Sequence, residues 1–381
     1  MRVLLLSAYA AQSHEHWREC LLHMLDDYQW QVLTLPPRHF SWRVRGNPLY
    51  WSIAERDALE AEYDVLVATS MVDLATLRGL VPALARLPTL LYFHENQFEY
   101  PLSKQVNSAV EAQMVSLYSA LAADAIAFNS QFNKQSFLRG VSALLQRLPD
   151  HVPTGVVQQI ERKSCCLPVP FDDPARPGGA SPHGQHRWSP RGAGDSSKDA
   201  LRLLWVGRFE HDKGGDRLLQ ILQLLETDGM AYELAVVGQQ FRNSPACFAQ
   251  IQHDFAHRLV AFGYQESYAD YHAVLAAADV VLSTALHEFQ GLAVLQAVAA
   301  GCIPLVPRRQ AYPELYPEAC CYASFADDPA REARAALASL KSLVDDLGRG
   351  SASVPDVSAF SSAELGGRYR DLLEQLAAAQ R

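Results

Sequence analysis

The stretch Val280-Val281-Leu282-Ser283-Thr284-Ala285-Leu286-His287-Glu288-Phe289-Gln290-Gly291-Leu292-Ala293-Val294-Leu295-Gln296-Ala297-Val298-Ala299-Ala300-Gly301 carries one complete repeat of the fold. A short apolar run ends in polar residues, an apolar helical stretch follows and stops at Gly301, and a second apolar run opens at Ile303. Strand, crossover helix and strand in that order belong to a parallel sheet covered on both faces. Working outward, the same alternation recurs at Leu201–Val206, Tyr232–Val237, Asp279–Ser283 and Ile303–Val306. Before residue 200 it recurs at Arg2–Leu6, Trp30–Leu35, Asp64–Ala68, Thr89–Phe93 and Asp124–Phe128.

A chain of 381 residues exceeds one hydrophobic core. The sequence therefore predicts an α/β protein of two Rossmann-like, doubly wound domains, covering 1–171 and 201–360. Between them, 172–200 holds five Gly and four Pro but no Val, Ile, Leu, Met or Phe, which predicts a flexible linker. The amphipathic run over 361–381 predicts a closing helix.

The net charge is −9, and residues after 200 hold 22 of the 42 acids against 15 of the 33 bases. Such a chain is a poor general nucleic-acid binder, so RNA would need a local basic surface. Seven cysteines, with vicinal pairs at 165–166 and 320–321 and no Cys-x-x-Cys, form neither a disulfide framework nor a zinc pattern. Met1–Ala10 has too small an apolar core for a signal peptide, and Phe289 to Val306 is interrupted by Gln296, Gly301 and Pro304. The expectation is a soluble cytoplasmic protein without membrane insertion.

Ligands of parallel α/β sheets sit beyond the carboxyl ends of the strands. At the exit of Leu201–Val206, Gly207 precedes Arg208 and Lys213, two cations beside a helix start that suit a diphosphate. A charged surface loop with Arg208–Glu210 and Lys213–Asp212 ion pairs is the competing reading. At the exit of Asp279–Ser283, Glu288 stands before Gly291, with Gln296 two helical turns on. A helix cap for Glu288 and a surface glutamine at 296 are the alternatives.

In the first half, Thr89–Phe93 runs into His94-Glu95-Asn96-Gln97-Phe98-Glu99-Tyr100-Pro101, a polar and aromatic exit ill suited to a core, although His94 also suits a structural histidine. Phe128-Asn129-Ser130 repeats the pattern, with Ser130 read as a helix cap. Pro36 to Trp51 reads as a loop that interleaves Arg38, Arg43 and Arg45 with Phe40, Trp42, Tyr50 and Trp51, and no acid occurs from Tyr28 to Ala54. Cations plus aromatic faces suit single-stranded RNA, while a packed loop with solvated arginines is equally consistent.

Taken together these motifs resemble glycosyltransferase family 4, retaining enzymes of the GT-B fold whose two domains face a central cleft. Within it, Pro37-x₄-Trp42-Arg43, His94-Glu95-Asn96-Gln97-x₂-Tyr100-Pro101, Phe128-Asn129-Ser130-x-Phe132-Asn133, Leu148-Pro149-Asp150-His151, Phe209-Glu210-His211-Asp212-Lys213 and Ser283-Thr284-Ala285-x-His287-Glu288-Phe289 resemble the tRNA-queuosine α-mannosyltransferase family. The resemblance implies transfer of mannose from GDP-mannose to queuosine in a tRNA anticodon, with no cofactor and no metal. It implies donor contacts at Gly207, Arg208, Lys213, His287, Glu288, Phe289, Gly291, Leu292 and Gln296, with Arg208, Lys213, Glu288 and His94 catalytic. It implies acceptor contacts at Ser13, His14, Arg38, Trp42, Arg43, Arg45, His94, Glu95, Asn96, Gln97, Tyr100 and Asn129. Three positions depart from the pattern: Gln296 replaces Glu, Ala11-Gln12 replaces Gly-Gly, and Phe209 replaces Trp. Two other functions stay open: family 4 transfer to a lipid-linked or soluble glycan, and a catalytically weak protein that binds nucleotide-sugar or tRNA.

Overall fold

The computed structural model describes residues 1–99, 106–172, 188–189 and 200–379, with side chains omitted at 106–109. Two compact units emerge, Met1–Ala175 with Phe360–Arg381, and Arg176–Ala359. The first holds β1 (Arg2–Ser7), β2 (Gln29–Thr34), β3 (Val65–Thr69), β4 (Thr89–Phe93), β5 (Ala125–Phe128) and β6 (Ser164–Cys166). The second holds β7 (Leu201–Val206), β8 (Tyr232–Val237), β9 (Leu259–Gly263), β10 (Val280–Leu282), β11 (Ile303–Pro307) and β12 (Cys321–Tyr322). All pairings are parallel, in the orders β2-β1-β3-β4-β5-β6 and β12-β11-β10-β7-β8-β9.

These orders fix where a ligand is expected. The chain leaves β1 toward β2 on one side and later returns to β3 on the other, so the first sheet's switch point lies between the carboxyl ends of β1 and β3. The second sheet switches between β7 and β10. Apolar side chains on both faces hold each sheet between helices. Leu4, Leu6, Leu66, Ala68, Leu91 and Phe93 anchor one core, and Leu203, Trp205, Leu234, Val236, Val280 and Leu282 another.

The closing helix, Ser362–Ala378, belongs to the first unit. Ser361 caps it by accepting the Glu364 N–H at 3.3 Å. Tyr369, fully buried, accepts from Trp17 Nε1 at 2.9 Å and donates to the Pro168 carbonyl at 2.9 Å, while Arg370 grips both Asp27 oxygens at 2.8 and 2.9 Å. Most of the expected flexible linker, 173–187 and 190–199, lies outside the described residues. Trp188 and Ser189 belong to the second unit: Trp188 is buried with Nε1 donating to the Val274 carbonyl at 3.3 Å, and the Ser189 N–H reaches Glu233.

One expectation is overturned. The segment read as a loop from Pro36 is a helix, Phe40–Ala54, with Pro48 inside it. Proline removes the hydrogen bond that residue 48 would give to the Val44 carbonyl. Asn47 compensates, its Nδ2 lying 3.1 Å from the Val44 carbonyl and 2.7 Å from that of Arg43. Gly46, Asn47 and Pro48 look like helix breakers in sequence, yet the side-chain amide repairs the ladder.

Candidate active site

In the second unit, the loops after β7 and β10 meet at the switch point. Gly214 takes a left-handed φ of 69°, and a Cβ there would lie 2.0 Å from the Thr284 carbonyl oxygen. Thr284 Oγ1 accepts from Trp205 Nε1 at 2.9 Å and donates to the Lys213 carbonyl at 2.9 Å. The N–H groups of Leu286 and His287 both reach the Asp212 carbonyl, at 2.7 and 3.1 Å. Two segments far apart in sequence are thereby sewn together.

The stitching sets Lys213 against Glu288. Lys213 Nζ, 14% exposed, donates to Glu288 Oε2 at 2.9 Å and to the His287 carbonyl at 3.1 Å, with Asp212 Oδ2 at 3.4 Å. Burial pulls the lysine pKa down, but the Glu288 and Asp212 carboxylates outweigh it and hold the ammonium above its usual value. Arg208 is 43% exposed and pairs with Glu210 at 3.0 Å and Asp212 at 3.8 Å. Both ion pairs anticipated as the bland reading therefore exist, and Lys213 also reaches Glu288. The cap reading for Glu288 is not what the structure shows, because its Oε2 faces Lys213.

Gly291, φ 75°, begins the helix Leu292–Ala299, and a Cβ there would meet the Tyr312 ring at 2.9 Å. Phe289 is buried beside it. Gln296 is half-buried, and its Oε1 accepts from the Tyr271 hydroxyl at 3.1 Å. Gln310, missed in the sequence reading, accepts the Glu288 N–H and lies 3.3 Å from His287 Nδ1. It stands just beyond β11, a strand exit like the others.

In the first unit the switch point is lined by polar groups. One residue beyond the Leu6↔Ala68 pairing, Ser7 stands beside Thr69, and Thr69 pairs with Tyr92, so the three side chains share one face of the sheet. His94, two residues past Tyr92, continues that face and stacks on His14 with ring centroids 4.0 Å apart. Tyr92 at 4.7 Å and Trp17 at 4.9 Å complete its aromatic walls. Ser7 Oγ, Thr69 Oγ1, His14 Nδ1 and His94 Nε2 are buried without a hydrogen-bond partner among the described residues. Burial, with the His14 ring beside it, pushes His94 well below the ordinary histidine pKa, so the ring is neutral at pH 7. His14 Nε2 donates to Glu95 at 3.2 Å. Ser7 and Thr69 escaped the sequence reading because both look like ordinary strand ends.

Other expected acceptor contacts have different work. Asn96, 1% exposed, gives its Nδ2 to Asn133 Oδ1 at 2.9 Å and Ser136 Oγ at 2.8 Å, and takes the Phe98 N–H at 3.0 Å. Asn129 gives its Nδ2 to the His94 carbonyl at 2.7 Å and accepts from Asn133 at 2.8 Å, so it holds the His94 backbone. Gln97 Nε2 lies 3.8 Å from Met71 Sδ. Arg45 is bound by buried Asp73, and by Glu111 at 3.2 Å, which neutralises the cation expected to meet phosphate. Arg38, Trp42 and Ser13 are exposed, and Arg43 Nε donates to the Pro36 carbonyl at 3.3 Å on the surface. Tyr100 lies outside the described residues. Among the described residues no three His, Cys, Asp or Glu side chains gather to hold a metal ion, and no helix is long and apolar enough to cross a membrane.

The sequence model described as tRNA-queuosine alpha-mannosyltransferase N-terminal matches residues 2–171, and that of Glycosyl transferases group 1 matches 187–340. The tRNA-queuosine alpha-mannosyltransferase of Drosophila melanogaster is 33% identical over 322 residues, spanning 84% of this chain and 83% of that protein. The chain belongs to the tRNA-queuosine α-mannosyltransferase family. Like the rest of that family, it is a glycosyltransferase. A glycogen synthase of Rhodopseudomonas palustris is 33% identical over 114 residues, 30% of this chain and 22% of that protein. Among solved structures, Anabaena HepE in complex with UDP and glucose superposes with TM-score 0.66 at 13% identity, over 98% of this chain and 100% of that one. Sucrose-phosphate synthase of Thermosynechococcus elongatus gives 0.69 at 14%, over the whole of both chains. The fold is GT-B, as in these solved structures.

Proposed function

We propose that the chain transfers mannose, with retention, from GDP-mannose to the cyclopentenediol of queuosine in a cytoplasmic tRNA. The carrying observation is the Lys213–Glu288 pair at the second switch point, a largely buried cation beside a carboxylate where a sugar diphosphate would sit. HepE, described with UDP and glucose, supports a nucleotide-sugar for this fold. In this reading Arg208 and Lys213 neutralise the diphosphate, Glu288 accepts hydroxyl hydrogens of the sugar, and the helix starting at Leu292 offers backbone N–H groups. An acceptor hydroxyl bonds to the anomeric carbon as the bond to the diphosphate breaks. The electron pair leaves with GDP, and the hydroxyl proton passes to the departing phosphate oxygen. No enzymic nucleophile and no metal is needed, because the two cations supply the electrostatics. Neutral His94, with the Ser7 and Thr69 hydroxyls, suits the hydroxyls of a diol-bearing acceptor.

Labelled mannose should enter a tRNA carrying queuosine and not the same tRNA carrying guanosine at that position. Equal labelling of both would refute the acceptor assignment.

The ribose contact has its own test. Tyr271 already donates to position 296, so Gln296→Glu should tighten GDP binding several-fold, since a carboxylate makes stronger hydrogen bonds to hydroxyls than an amide does, and Gln296→Ala should weaken it. Calorimetry showing neither change would make Gln296 purely structural.

For the tRNA surface, exposed Arg38 and half-buried Arg43 remain as cations on the same segment as Phe40, Trp42 and Tyr50, of which Trp42 is 56% exposed. Replacing both arginines by Gln should weaken tRNA binding and lower its salt slope by about 2, one for each phosphate that the variant no longer neutralises, without touching donor binding. An unaltered affinity and slope would clear this helix of any role at the RNA and favour a glycan acceptor.

A further inference from the structure

We propose that Glu332 is a positioning residue for the donor site: through Arg309 it holds the turn that fixes the Glu288 backbone, and through Arg217 it holds the helix that follows Lys213. The inference rests on reading Lys213 and Glu288 as donor-binding groups.

Glu332 lies in the first turn of the helix Pro329–Gly348, whose other buried residues are Ala333, Ala336 and Leu340, and it is itself 1% exposed. A carboxylate so placed persists only when it is paired and hydrogen-bonded on both oxygens. Oε1 accepts from Arg217 Nε at 2.8 Å, and Oε2 accepts from the Phe325 N–H at 2.6 Å and from Arg309 Nη2. Arg217 also donates to the Ala326 carbonyl. Apolar side chains of equal volume stabilise an interior at least as well as such an ion cluster does, so what the cluster contributes is fixed geometry.

That geometry reaches both halves of the site. Arg217 sits in the first turn of the helix Gly215–Asp228, which begins just after Lys213. Arg309 has its Nε and Nη1 buried without a hydrogen-bond partner among the described residues, so Glu332 is the group that directs its guanidinium. The next residue, Gln310, has φ 53°, a left-handed angle that strains a glutamine and persists where the neighbouring chain is held. Its Oε1 accepts the Glu288 N–H. Arg309 thus pins the turn, the turn pins the Glu288 backbone, and the Glu288 carboxylate is set 2.9 Å from Lys213 Nζ. Loss of the Arg309 arm frees Glu288 while leaving the Arg217 arm, and with it the cation side, in place.

Calorimetry on the full chain, with GDP-mannose and with GDP, separates positioning from packing. Arg309→Met keeps the bulk of the side chain and leaves Glu332 paired with Arg217 and the Phe325 N–H, so the fold is kept. GDP-mannose binding is expected to weaken about tenfold, the worth of one charge-assisted hydrogen bond to a sugar hydroxyl, with GDP binding unchanged. In a Glu288→Ala background the same substitution is expected to add nothing, because the carboxylate it would misplace is gone. Glu332→Asp keeps the charge but draws it back from both arginines, and is expected to weaken binding of both ligands. Equal losses for GDP and GDP-mannose in Arg309→Met, or a loss undiminished in the Glu288→Ala background, would make the cluster a packing device and overturn the proposal. So would wild-type affinities in Glu332→Asp. A Glu288→Ala chain that binds GDP-mannose as tightly as wild type would instead sink the donor reading beneath it, so the two failures are told apart.

Discussion

Lys213→Ala is expected to lower kcat/KM by about 100-fold or more, chiefly through kcat at saturating nucleotide-sugar. The ammonium is the most buried cation of the site, held by Glu288 at 2.9 Å and by the His287 carbonyl at 3.1 Å. Negative charge grows on the departing diphosphate as the glycosidic bond breaks, and a fixed cation in a partly desolvated position stabilises that charge more than it stabilises bound substrate. Removing it also leaves the Glu288 carboxylate without its main counter-charge, so the group that orients the sugar loses its anchor. Arg208→Ala should cost less, about tenfold, because its guanidinium is 43% exposed and already shared with Glu210 and Asp212. Steady-state kinetics at saturating donor decide the matter, and full turnover in both variants would remove the diphosphate from this position.

The second large effect is structural. Gly214→Ala should destabilise the second unit by roughly 2–4 kcal/mol and abolish transfer, because the new methyl group meets the Thr284 carbonyl oxygen at 2.0 Å while the backbone angle of 69° disfavours any side chain. Relief requires the loops after β7 and β10 to part, and that parting breaks the hydrogen bonds that the Thr284 hydroxyl makes with Trp205 and with the Lys213 carbonyl. Denaturant unfolding measures the destabilisation. A midpoint within error of wild type would mean that the loops are not pinned together at this point.

The central strands were readable because a buried strand leaves a run of apolar residues, as Leu203–Val206 and Leu90–Phe93 do. The strands passed over lie at sheet edges. Ser164–Cys166 and Cys321–Tyr322 are too short to stand out, and Leu259–Gly263 is only partly buried. Phe40–Ala54 was hidden by a proline whose cost is met by a neighbouring side chain, a compensation that has no signature in local pattern.

For the candidate site, strand exits pointed to segments that the structure brings together after β7 and β10. What the sequence did not contain was the partner of each group. Lys213 and Glu288 are 75 positions apart, and only the parallel neighbours β7 and β10 bring them together. Conversely, Asn96 and Asn129 have the polarity of ligand contacts but spend it internally, a distinction that requires knowing what Asn133 faces. Arg45 was misjudged for the same reason, its counter-charge Asp73 being supplied by another helix start.

Transfer itself offers the most direct test. The wild-type chain is incubated with queuosine-containing tRNA and an equimolar mixture of GDP-mannose, GDP-fucose, UDP-glucose and UDP-galactose, each with a distinct isotopic label, and the digested nucleosides are analysed by mass spectrometry. The account predicts a queuosine heavier by one hexose that carries the mannose label, with the anomeric linkage of the donor retained. Queuosine left unmodified, or modified with a label from another donor, would contradict it.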